Sequence, residues 1–160
     1  MNSFNEASRV WIYQSDRELT TEEVNSLEYI LKQFTTDWTA HDNLLKASAR
    51  IYYNRFIVLM VDESQYGASG CSIDKSVRLM KEIENKFKIN LFDRFNIAYK
   101  YNGQVKSVSR NEFEELLKEK VLNGESIVFN NLVTTIKEFE NNWEVPLKNS
   151  WHNQVFASVL

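Results

Sequence analysis

The run "FIVLMVD" (56–62) constrains the fold more than any other stretch, because six consecutive apolar residues leave a strand no wet face. A strand of that kind sits in the middle of a sheet and is covered on both sides. The residues just before it behave differently. In "KASARIYYN", Ala47, Ala49, Ile51 and Tyr53 alternate with Ser48, Arg50, Tyr52 and Asn54. Such alternation belongs to an edge strand with one solvated face. A turn near Asn54-Arg55 would make the two a hairpin, the alternative being one long bent strand, with "SRVWIYQS" as an earlier, aromatic strand.

Helical periodicity surrounds these strands. Thr20 and Glu23 have capping-box spacing, and Val24, Leu27, Leu31, Phe34 and Trp38 come after them at intervals of three and four. Ile73, Val77, Met80 and Phe87 mark a second helix, capped by Ser72 or Asp74. "FNIAYKYNGQVKSVS" is a hairpin turning at Asn102-Gly103, which suits a type I′ turn. Ser109 and Glu112 open a third helix that Gly124 ends. Phe129, Leu132, Val133, Ile136, Phe139 and Trp143 suggest a fourth, stopped before Pro146. The order β-α-β-β-α-β predicts an α+β fold, a ferredoxin-like antiparallel sheet with an extra hairpin strand and C-terminal helices. The expected organisation is one α+β domain over 1–160. Its core spans about 8–109 and a C-terminal helical extension about 110–160.

Composition narrows the class. The chain is 43% apolar and 26% charged with one proline, which is globular, and its net charge of −3 carries no block of Lys and Arg. A nucleic acid held through its phosphates is therefore disfavoured as a partner. One cysteine makes no internal disulfide, the N-terminus lacks a secretory profile, and no apolar run approaches the roughly 20 residues of a membrane span. A soluble cytoplasmic protein without membrane insertion is expected.

The stretch "DESQYGASGCSIDKSVRLM" (62–80) looks like a phosphate loop entering a helix. Aligning Lys75-Ser76 with the end of a Walker loop puts Ser69 and Asp74 where glycines are required, and the Asp74 carboxylate would repel phosphate. Yet about eleven residues join strand to helix here, where two to six are usual. Long polar connections tend to carry function. In a ferredoxin-like fold this loop meets the "DWTAHDN" connection, gathering His41, Asp42, Asp62, Glu63, Cys71, Ser72 and Asp74 at one rim.

These residues admit three readings. The first is a binding domain for a small molecule or protein, using loop 62–75 and the 38–43 connection. Its ligand contacts would come from Asp42, Glu63, Ser69, Ser72, Asp74 and Lys75, with the ligand and any cofactor unspecified. The second is an enzyme with Cys71 as nucleophile, His41 as base and Asp42 or Asp62 orienting the imidazole. The third is single-strand RNA binding, with bases stacked on Trp11, Tyr13, Tyr99 and Tyr101 of an open sheet face. The acids with His41 and Cys71 match no metal-ligand spacing.

The segments "VWIYQSDRELT", "YNRFIVLMVDE", "ASGCSIDKSV", "LFDR", "VFNNLV" and "SWHNQVF", taken together, resemble a family of short bacterial proteins often catalogued as ABC transporter ATPases. The resemblance runs through nearly the whole chain and implies ATP hydrolysis and a transporter partner. The two-glycine loop and the "LSGGQ"-type signature that carry that chemistry are absent, so it assigns no functional residue.

Overall fold

The structure, a computed structural model, describes residues 3–160. The fold is α+β with antiparallel sheets, and the chain forms two compact units. Residues 3–92 with 134–137 make the first, and 93–133 with 138–160 the second.

In the first unit, β1 (Arg9–Gln14), β4 (Lys46–Tyr52) and β5 (Phe56–Asp62) form a sheet in the order β1-β5-β4. Every residue of β5 is buried, as its unbroken apolar run requires. β4 is an edge strand, as its alternation predicts, and among the described residues pairs only with β5, from Lys46↔Asp62 to Tyr52↔Phe56. The hairpin turns at Tyr53-Asn54, one residue earlier than expected, with both residues at positive φ (54° and 52°). Two helices, α1 (Thr21–Asp37) and α2 (Gly70–Phe87), cover one sheet face. Leu27, Leu31, Met80, Ile83 and Phe87 meet Tyr13, Ile57, Leu59 and Val61 there, with Ala47, Ala49 and Ile51 along the margin. The two-residue strands β2 (Thr39–Ala40) and β3 (Asn43–Leu44) form a miniature hairpin after α1.

The capping box of α1 is complete. Thr20 Oγ1 accepts the Glu23 amide at 3.1 Å, while Glu23 Oε1 accepts the Thr20 amide at 2.9 Å. Arg17 donates to both Glu23 oxygens at 2.8 Å and ties the cap to the Phe87 carbonyl of α2 at 2.7 Å. The Arg17 guanidinium, then the Thr20 amide, hold the Glu23 carboxyl down to about 2. Arg17 is partly solvated, which weakens the pair. Glu23→Gln is expected to lower stability by about 1 kcal/mol at neutral pH. The folded pKa lies below the unfolded one, so this contribution is full above about 4.5 and fades as the pH falls towards 2. Urea melts at about pH 7 and pH 3 check both the size and the sign.

The ferredoxin-like order fails at the strand after α2. β6 (Asn96–Tyr101) does not join β1; the bridge on β1's outer side runs from Arg9 to Thr135. Instead β6 belongs to a second antiparallel sheet, ordered β7-β6-β8-β9, with β7 (Gln104–Ser109), β8 (Ile127–Phe129) and β9 (Glu144–Pro146). The cause is the pair of elements immediately C-terminal to β6. The Asn102-Gly103 turn (φ 50° and 75°) folds β7 back, and α3 (Arg110–Lys118) then lays Phe113 and Leu117 on Ile97, Tyr99 and Val128. The apolar face of β6 is thus taken within the second unit.

The segment expected to be purely helical supplies β8 and β9 as well. Its apolar spacing from Phe129 to Trp143 comes from a strand, a turn and the short helix α4 (Ile136–Asn142) in succession. α3 stops at Lys118, short of Gly124, and Lys120 takes the left-handed conformation (φ 63°). A further short helix, α5 (His152–Val155), is followed by a 3-10 turn at Ala157–Val159. No helix among the described residues is long and apolar enough to cross a membrane.

Candidate functional site

The two connections expected to meet do touch. Trp38, at the end of α1, is buried and donates from Nε1 to the Ser72 carbonyl in the first turn of α2, at 2.9 Å. Phe34 packs on the same indole at 4.9 Å between ring centroids, and Trp11 meets it edge-on at 6.1 Å.

The chemistry-bearing side chains at this end divide into two groups. His41 and Asp42 form the turn of the β2–β3 hairpin (φ 51° and 66°), and their side chains are exposed. Cys71 is exposed in the first turn of α2, as are Asp74 and Lys75. Among the described residues, no hydrogen bond or ion pair joins the His41 imidazole to Cys71, Asp42 or Asp62. No group of three His, Cys, Asp or Glu residues is placed to hold a metal ion among the described residues.

The second group holds the long loop together. Asp62 is buried and accepts from Ser64 Oγ at 2.7 Å, from the Ser64 amide at 3.0 Å and from the Asn5 amide at 3.2 Å. Lys46 lies at 3.4 Å. The Ser64 hydrogen bonds above all hold its carboxyl well below the usual carboxylate range. Glu63 folds back to accept the Ala68 amide at 2.8 Å and faces Arg9 at 3.9 Å. A Cβ at Gly67 would stand 2.9 Å from Glu63 Oε2, so a larger residue there would displace the Glu63 carboxylate.

The N-cap of α2 is Ser69, not the expected Ser72 or Asp74. Its hydroxyl accepts the Ser72 amide at 3.1 Å, while Ser72 Oγ accepts the Ser69 amide at 2.6 Å. With α2 starting at Gly70, seven residues join it to β5, and Asp62, Glu63, Ser69 and Ser72 are used to shape them.

The aromatic rings expected to line an open sheet face do not form one. Tyr13 lies in the core beneath the helices with its hydroxyl on Ser76, and Trp11 packs at the margin of that core under Arg9, 4.6 Å away. In the second unit Tyr99 is buried edge-on to Phe113 at 6.0 Å, which leaves Tyr101 partly exposed beside Lys106.

Sequence reasoning passed over a different feature. An open groove of about 560 Å³ runs between α1 and β4. Glu28, Leu31, Lys32 and Thr35 form its helical wall, at the spacing of one helix face, and Ala47 through Ile51 form the other. Two alanines at alternate positions of an edge strand were the available signal, since small side chains there leave space beside the helix.

His152, which has no periodic context in the sequence, is also unusual. It is 1% exposed, its Nδ1 lies 2.8 Å from Ser150 Oγ, and it stacks on Trp151 at 3.7 Å. Burial pushes its pKa down to about 4. Comparison of the chain with family models, with curated proteins and with solved structures finds no match.

Proposed function

We propose that this chain is a non-catalytic binding module whose first unit takes up an extended segment of a protein partner by strand addition on β4. One observation carries the reading. β4 is a seven-residue strand paired on one side only among the described residues, and its other edge borders the open groove against α1. Unpaired N–H and C=O groups along such an edge are a template for another strand, and a neighbouring helix supplies side-chain selectivity. Many proteins blunt an edge with proline or a bulge; β4 has neither, and its register with β5 is unbroken. The loop at 62–75 offers less as a ligand surface, because Asp62, Glu63, Ser69 and Ser72 already accept hydrogen bonds from within it.

The test is selection of a displayed random-peptide library against the full chain, followed by amide hydrogen exchange with the enriched peptides bound. Slowed exchange within 46–52 is the expected result. Protection confined to 62–75 would move the site to that loop, and a library yielding no binder would overturn the module reading.

A further inference from the structure

We infer that the segment taken up by the α1–β4 groove is acidic, carrying a carboxylate opposite Arg50; this deepens the strand-addition reading and rests on it. Side chains of β4 alternate across the sheet. Ala47, Ala49 and Ile51 point to the helix-covered face, where they border the core, so Ser48 and Arg50 point to the other. A strand laid along the free edge has the same alternation. One set of its side chains falls over the two alanine methyls against Leu31 and suits small or β-branched apolar groups. The other set lies beside Ser48 and Arg50, where directly opposed residues interact most strongly.

The charges at the groove decide what that second set carries. Arg50 and Lys32 are exposed, and neither has an ion-pair partner among the described residues. Acids of the same unit are ion-paired elsewhere: Glu23 to Arg17, Asp62 to Lys46 and Glu63 to Arg9. Glu28 is the one acid in the groove, a turn before Lys32 on the same helix, and it disfavours a uniformly acidic segment. A protein of net charge −3 thus presents a free guanidinium and a free ammonium beside its open strand edge. A carboxylate opposite Arg50 gains a charge-assisted pair that a neutral or basic segment lacks.

A second copy of this chain fits less well. The lining residues centre on Lys32 in α1 and Ala49 in β4, so antiparallel pairing of two β4 strands about Ala49 sets Lys32 near its own copy. The same pairing places Arg50 against Ser48, without a carboxylate.

The test uses the isotopically labelled full chain and two capped hexapeptides, one alternating Val and Glu, the other Val and Lys, titrated by NMR at low salt. The Glu peptide is expected to shift the amides of 46–52 and to bind at least about tenfold more tightly than the Lys peptide. Added salt should narrow the gap. Arg50→Glu and Lys32→Glu alter exposed side chains, and each is expected to weaken the Glu peptide while improving the Lys peptide. Equal binding of both peptides at β4 would overturn the acidic assignment and leave the strand-addition reading standing. Binding of neither, with sedimentation showing a dimer, would make a second copy the occupant and overturn the acidic segment. Binding of neither by a monomer would overturn both.

Discussion

Lowering the pH from about 7 to about 4 is expected to destabilise the second unit by roughly 3 kcal/mol through His152 alone. Its imidazole is enclosed by Trp151, Phe113 and the Ser150 hydroxyl, and burial holds its pKa at about 4 against 6.5 for a solvated histidine. A protonated ring would gain no compensating partner, because no carboxylate hydrogen-bonds or ion-pairs with it among the described residues. The unfolded chain therefore takes up the proton first. Stability is full above about 6.5, declines as the pH falls towards 4, and levels off below.

The acids with depressed pKa values, Glu23 and Asp62, act lower on the scale, which leaves the window between about 6.5 and 4.5 to the histidine. His152→Phe keeps a ring against Trp151 and removes the titration. Urea melts across that window should slope for the parent protein and run flat for the variant. Equal slopes would show that the ring is solvated or paired.

Trp38→Ala is expected to cost about 3–5 kcal/mol. The indole is almost fully buried, touches Phe34 and Trp11, and donates to the Ser72 carbonyl. It is the piece that fastens the end of α1 to the start of α2. Trp38→Phe keeps most of the packing but loses the donor, and should cost only about 1–2 kcal/mol. Midpoints of urea unfolding at constant slope separate the two. A Phe variant as unstable as the Ala variant would assign the whole effect to the hydrogen bond.

Legibility of this fold tracked the range of the interactions involved. The capping box at Thr20 and Glu23, the Asn102-Gly103 turn and the central position of β5 are written in residues a few positions apart, and each reads correctly. What β6 pairs with is a long-range choice. It depends on α3 covering Ile97 and Tyr99, and strand pattern alone does not encode that. The stretch after Phe129 failed for a related reason: apolar spacing of three and four arises from a strand and turn as readily as from a helix.

At the candidate site, the meeting of the two connections was foreseeable from strand order. The fates of Asp62, Glu63, Ser69 and Ser72 were not, because a carboxylate or hydroxyl that orders a loop is identical in sequence to one that binds a ligand. The groove went unread because it is made by the absence of bulk at Ala47 and Ala49.

The return of residues 134–137 to the first unit bears on how the chain is made. Val10 donates to the Thr134 carbonyl at 3.0 Å and Ile136 to the Ser8 carbonyl at 2.9 Å, so β1 receives its outer neighbour only after some forty residues beyond Phe92 have been synthesised. Until the ribosome has delivered them, the nascent chain carries a strand rim open to stray pairing with other polypeptides. A product cut short after Phe92 would keep that rim permanently, and is expected to partition into inclusion bodies more than the full chain.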